Sequence, residues 1–172
     1  MDEKYPIGKY IEQPFSPDKK EEWLLSISTL PTRLEYAVTN LDLHQLSTPY
    51  REGGWTVQQV VHHVADSHMN AFNRFKLALT EHAPIIKPYN QDAYAKLADT
   101  SLPVNISITL LHALHTRWVA VLENMPESDF QRTVIHPEYN KEMSLWYLLG
   151  NYAWHGDHHT AHINKLRDKM GW

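Results

Sequence analysis

The chain has 172 residues, a formal net charge of -4 and no cysteine. Its length suits one domain, residues 1–172, with a proper core, and 42% hydrophobic against 21% charged residues is the balance of a globular protein. The charge offers no attraction to nucleic acid or an anionic membrane, and the missing cysteine excludes disulfides, thiolate ligands and a cysteine nucleophile, leaving nitrogen and oxygen to hold any metal.

Residues 1–15 read as an extended arm, with Pro6, Gly8 and Pro14 among Tyr5, Ile7, Tyr10 and Phe15. The start, Met1 to Pro6, has no apolar stretch behind a basic one, so no secretory signal is expected. No 18-residue apolar run exists, so no membrane span is expected either. These absences point to the cytoplasm.

Ser16-Pro17 opens the first long helix, with serine as cap and proline at the first helical position. Its stripe runs from Trp23 through Ile27, Leu30 and Leu34 to Leu41, and Pro31 predicts a kink or break. Gly53-Gly54-Trp55-Thr56 is a turn ending in a cap. A second helix follows over about 56–81, carrying Val57, Val60, Val61, Val64, His68, Phe72, Phe75 and Leu79 on one side. Pro84 and Pro88 mark a loop, and a short helix is expected near Gln91–Ala98. Pro103 begins a third long helix to about Asn124, and Pro126 ends it. Gln131–Met143, with Thr133-Val134-Ile135 and the turn-prone Tyr139-Asn140-Lys141, suits a short β-hairpin. Ser144 caps the fourth long helix, which reaches about Met170. Four long amphipathic helices predict an all-α four-helix bundle.

Four of the twelve histidines lie between 155 and 162 on that last helix. His155/His159 and His158/His162 have i, i+4 spacing, which stacks side chains on one helical face. Two imidazoles so placed can meet on one metal ion. Measured from the aliphatic stripe, His159 lies roughly 25° off and His155 roughly 65°, against roughly 85° for His162 and roughly 125° for His158. The inward pair is therefore His155/His159, while His158 and His162 are expected towards solvent or a subunit contact. Two buried imidazoles are costly unless something binds both. Lone histidines such as His44, His82 and His136 more often only hydrogen-bond backbone.

Catalytic metals usually take three protein ligands. On the second helix His68 is the most inward histidine, His63 sits at the edge of the stripe, and His62 faces away. Periodicity nominates His68 or His63 without deciding between them. Position 156 is glycine, so the H-E-x-x-H helix of zinc proteases is absent, and Asp157 reads as a solvated side chain on another face. No G-x-G-x-x-G, P-loop or G-x-S-x-G pattern exists, and no basic recognition helix. Trp154, nearly opposite the core stripe, and Tyr147 suggest an exposed aromatic patch.

Gly53 to Asn70, Leu114-His115-Thr116-Arg117-Trp118 and Trp154 to Ile163, with Tyr5-Pro6-Ile7-Gly8 and Met170-Gly171-Trp172, resemble the YfiT group over nearly the whole chain. That group is described as metal-dependent hydrolases, within the DinB-like superfamily that includes bacillithiol S-transferases. The resemblance implies a DinB-like four-helix bundle and one divalent metal per subunit, Zn2+ or Ni2+. It also implies a homodimer and the ligand set His63, His155 and His159. Only the last two follow from the angular argument as well.

An open ion of this kind can turn bound water into hydroxide for hydrolysis, or deprotonate an external thiol for attack on an electrophile. Hydrolysis wants a nearby general base, and Asp66 is the nearest carboxylate to His63 in sequence; it could equally orient a ligand. His115, near the core edge of the third helix, is a candidate supporting or catalytic residue. Thiol transfer needs polar and cationic groups, for which Arg51, Asn70, Arg74, His115 and Arg117 are candidates. Thiol S-transfer from a small-molecule thiol is the first expectation, because of the superfamily branch. Hydrolysis is the second, and a non-catalytic metal-binding stress protein the third. No nucleic-acid partner is expected.

Overall fold

The computed structural model describes residues 3–138 and 140–172. Tyr139 of the expected turn, and Met1 and Asp2 of the arm, lie outside the described residues.

Four long helices dominate: α1 (Pro17–Val38), α3 (Val57–Thr80), α5 (Val104–Glu123) and α6 (Leu145–Met170). Short α2 (Leu43–Leu46) and α4 (Gln91–Tyr94) lie in the connections, with 3-10 turns at Ala98–Ser101 and Glu127–Gln131. A hairpin of β1 (Thr133–His136) and β2 (Lys141–Ser144) precedes α6, pairing Thr133 with Ser144 and His136 with Lys141. The expected all-α four-helix bundle and its hairpin are both present. Among the described residues, no helix is long and apolar enough to cross a membrane.

Local chemistry sets the helix starts. Ser16 Oγ accepts from Lys19 N at 3.1 Å, and Ser144 Oγ from Tyr147 N at 3.0 Å. Thr56 and Gln59 form a reciprocal capping box on α3, which satisfies two of the amide donors that every helix start leaves free. At the far end of α6, Gly171 takes the left-handed conformation at φ 72° and closes the helix.

The connectivity is not that of a simple up-down bundle. α1 packs on α5 and α6, and α3 packs on the same two helices. The consecutive helices α1 and α3 therefore stand diagonally, as do α5 and α6.

The expected break at Pro31 does not occur, and α1 runs through it. Proline has no N–H to give to the carbonyl four residues back, that of Ile27. His115 Nδ1, arriving from α5, donates to this carbonyl at 2.6 Å instead. α1 also ends three residues before Leu41, the last residue of its predicted stripe, with Asn40 at φ 62°.

The core falls into two apolar clusters. One gathers Trp23, Ile27, Phe75, Trp118, Phe130 and Leu149, and the other Leu30, Leu34, Val60, Val61, Leu111 and Ile163. Between them in chain position, on α3, α5 and α6, come His68, His115, His155 and His159, with His63 beside the second cluster. A histidine layer thus divides the apolar interior. α6 lies close to α1 here: a Cβ on Gly156 would come within 2.5 Å of Leu30 Cδ2.

Candidate metal centre

His63 arrives from α3, and His155 and His159 from consecutive turns of α6. Their ligand nitrogens lie within 4.8 Å of one another. The Nε2 atoms of His63 and His155 are 3.2 Å apart. Two nitrogens each bonded to one tetrahedral ion at 2.0–2.1 Å would sit about 3.3 Å apart, so the spacing suits a metal. His63 and His159 are 5% and 8% exposed, while His155 is half-buried.

Burial pushes the His63 imidazole down to about 4. Burial, and then the neighbouring imidazoles, hold His155 and His159 well below the ordinary histidine range. Neutral rings at physiological pH are what a metal requires, because protonation removes the donor lone pair. Three nitrogen donors without a carboxylate fit Zn2+ or Ni2+.

The centre opens on a cavity of about 480 Å³. Its wall includes Lys4 and Tyr5 of the arm, Tyr50, Arg51 and Trp55 of the turn before α3, and Trp154. Trp55 packs on His63 with ring centroids 4.5 Å apart. Tyr50 N bonds Trp55 O at 3.1 Å, closing the turn that carries these side chains.

His68 is fully buried but stands behind the centre, its Nε2 3.4 Å from His155 Nδ1. His115 lies one ring further back, with Nε2 3.1 Å from His68 Nδ1, and does not line the cavity. His62 turns away to Ser107 Oγ at 2.7 Å and the Leu102 carbonyl at 2.9 Å.

Asp66 is likewise not among the cavity residues. Burial and the charge of Asp99 raise its pKa. Asn70 donates to the Asp66 carbonyl, Arg74 to Tyr152 Oη at 2.7 Å, and Arg117 lies over the Phe72 ring. Of the candidate thiol-binding groups, Arg51 alone lines this cavity. Among the described residues, Asp92 is the one carboxylate in its wall, and it is exposed.

Three expectations for α6 are corrected. His158 and His162 are buried, at 7% and 3% exposure, because the arm and the turn before α3 cover that face. His162 stacks on Tyr50 with centroids 3.9 Å apart and bonds the Lys4 carbonyl at 3.2 Å. Both histidines line the cavity, and with His159 they form a second close histidine group. Since His159 belongs to both groups, they do not hold two ions independently. Trp154 and Tyr147 are not an open patch: Trp154 Nε1 donates to Gly8 O at 3.1 Å, and Tyr10 packs edge-on against Tyr147. Asp157 is not a merely solvated carboxylate either. It pairs with Arg33 at 2.6 Å and accepts from Ser26 Oγ at 3.0 Å, tying α6 to α1.

The residues that sequence reasoning missed, Lys4, Tyr5, Tyr50, Trp55 and Asp92, all come from non-helical segments or the short α4. Helical periodicity carries no signal for them. The turn residues Gly53-Gly54 and the aromatics around them were the available hint.

Residues 26–163 match the family model described as the DinB superfamily. A Bacillus cereus (strain ATCC 10987 / NRS 248) protein named "Putative metal-dependent hydrolase" is 49% identical over 172 residues, covering 99% of each chain. A Bacillus thuringiensis subsp. konkukian relative with the same designation is also 49% identical, at the same coverage. Among solved structures, YfiT from Bacillus subtilis superposes with a TM-score of 0.97 at 44% identity, covering 100% of this chain and 99% of its own. It is described as "a probable metal-dependent hydrolase with an unusual four-helix bundle topology".

Proposed function

Because the chain belongs to the DinB superfamily, we propose that it is a metal-dependent enzyme whose centre is His63, His155 and His159, and that it transfers a small-molecule thiol to an electrophile. The convergence of three neutral imidazoles on the floor of an open cavity carries this reading. A Zn2+ or Ni2+ ion held by neutral ligands keeps its full charge and lowers the pKa of a coordinated nucleophile, thiol or water.

The protein's own groups favour the thiol. Among the described residues the one carboxylate in the wall, Asp92, is exposed, and a thiol acidified by the ion needs no general base. Arg51 and Lys4 supply positive charge in the wall for an anionic thiol, and the aromatic rings supply apolar surface for an electrophile. Trp55, packed on His63, shields that ligand from water.

Hydrolysis is the second reading. The designations of the Bacillus relatives favour it, and Asp92 at the cavity wall is its available base. A homodimer is part of the proposal and is checked by sedimentation; the aromatic face of α6 lends it no support, since the arm covers that face.

The deciding experiment supplies metal-loaded protein with monochlorobimane and a panel of low-molecular-weight thiols, bacillithiol included, against a chelated control. The thiolate sulfur forms the new S–C bond, chloride leaves, and the thiol proton passes to solvent. Metal-dependent conjugation above the uncatalysed rate supports thiol transfer. Silence with every thiol, alongside turnover of an ester or amide panel, replaces it with hydrolysis. Silence in both assays with stoichiometric metal bound leaves the non-catalytic metal protein.

A further inference from the structure

We infer that His115 and His68 are positioning residues: a hydrogen-bonded chain anchored on the Ile27 carbonyl fixes the tautomer of His155 so that its Nε2 lone pair faces the metal centre. This rests on the reading of His63, His155 and His159 as that centre.

The polarity of the chain follows link by link. A carbonyl oxygen only accepts, so His115 Nδ1, 2.6 Å from Ile27 O, carries the hydrogen. His115 is 1% exposed and no carboxylate among the described residues bonds it; the ring is neutral, and its Nε2 must therefore accept. The donor to it is His68 Nδ1 at 3.1 Å. His68, fully buried and neutral by the same argument, offers Nε2 as acceptor to His155 Nδ1 at 3.4 Å. With its hydrogen on Nδ1, His155 is left with an unprotonated Nε2, and this is the atom that faces His63 Nε2. One backbone carbonyl thus sets three imidazoles in turn.

The anchor comes from the sequence of α1. Pro31 removes the amide that would otherwise occupy the Ile27 carbonyl within the helix, and so frees it to accept from α5. The rings are held by more than the hydrogen bonds. His68 and His115 stack with centroids 5.0 Å apart and planes 18° apart, and Trp118 packs edge-on against both. His159 is supported in a parallel way: His162 Nδ1 lies 3.4 Å from His159 Nδ1, and His162 Nε2 donates to the Lys4 carbonyl at 3.2 Å. Partners of this kind set the ring orientation and basicity of metal ligands, and their loss commonly costs 10–100-fold in metal affinity.

The test compares His115→Leu, which breaks the chain, with His115→Gln, whose amide can both donate to Ile27 O and accept from His68. Zn2+ affinity is measured by competition with a chelating fluorophore, and histidine tautomers by 15N NMR of the metal-free protein. The chain predicts an Nδ1–H tautomer for His155 in the wild-type protein. It predicts affinity at least ~10-fold weaker in His115→Leu, with mixed His155 tautomers, and affinity near wild type in His115→Gln. If the leucine variant does not fold, His115→Asn, too short to reach both partners, takes its place. An Nε2–H tautomer at His155 in the wild-type protein overturns the inference. So does a folded chain-breaking variant with unchanged Zn2+ affinity. A wild-type protein that shows the Nδ1–H tautomer but binds no Zn2+ overturns the metal-centre reading instead, since the chain then exists without the ion it was inferred to serve.

Discussion

The Nε2 atoms of His63 and His155 face one another at 3.2 Å across the α3–α6 contact. Two lone pairs at that distance repel unless a proton or a cation lies between them. A cation bound only by the folded chain adds stability by mass action, about 2.7 kcal/mol at a hundredfold excess over its dissociation constant. Zn2+ at that excess is expected to raise the thermal midpoint by roughly 5–10 °C. The shift should vanish in His63→Ala. Differential scanning fluorimetry with and without chelator checks both.

Acid should unfold the metal-free protein earlier than an average bundle. Burial pushes His63, His115, His158 and His162 down to about 4. The unfolded chain titrates at the ordinary histidine value near 6.5. Below that value the unfolded state binds more protons than the folded one, so stability falls as pH falls. The contribution is fully present above about 6.5 and is lost between there and about 4. Urea midpoints measured from pH 7.5 down to pH 4 should drop steeply in this window, and a flat profile contradicts the burial of neutral histidines.

Gly156 is the point where α6 touches Leu30 of α1, in the turn between two of the proposed ligands. A methyl group there would meet Leu30 Cδ2 at 2.5 Å. Gly156→Ala should destabilise the fold by about 1–3 kcal/mol, despite alanine's better helix propensity. The paired variant Gly156→Ala/Leu30→Ala should regain part of the loss, as denaturant midpoints would show.

Arg51 lines the cavity, bonding Tyr50 Oη at 3.2 Å and the Glu52 carbonyl at 2.9 Å, and touches no proposed ligand. If it holds an anionic thiol, Arg51→Ala should raise KM for that thiol roughly tenfold, the scale of one charge-assisted hydrogen bond. Metal content should not change. Steady-state kinetics alongside metal analysis separates the two effects.

The four long helices and the inward pair His155/His159 were legible because both rest on the 3.6-residue period, which the apolar stripes of the long helices display over many turns. His63 was legible only as one of two candidates, since periodicity nominated His68 or His63 without deciding between them. In the structure the ring at the edge of the stripe, His63, reaches the cavity, while the most inward ring, His68, stands behind His155. Pro31 was read as a kink or break, and α1 runs through it without a break. The consequence of its missing amide lies in a side chain 84 residues away, His115, and no local rule reports it. His158 and His162 were placed at the surface for a similar reason. The arm that covers them, Lys4 to Gly8, has no helical pattern from which its path could be read.

The most direct test of the centre is metal stoichiometry, by inductively coupled plasma mass spectrometry, in the wild-type protein, His159→Ala and His158→Ala. The account predicts about one Zn2+ or Ni2+ per wild-type chain, none in His159→Ala, and full occupancy in His158→Ala. Full occupancy in folded His159→Ala, or loss of the ion in His158→Ala, would place the ion elsewhere on α6 and contradict the assignment of His63, His155 and His159.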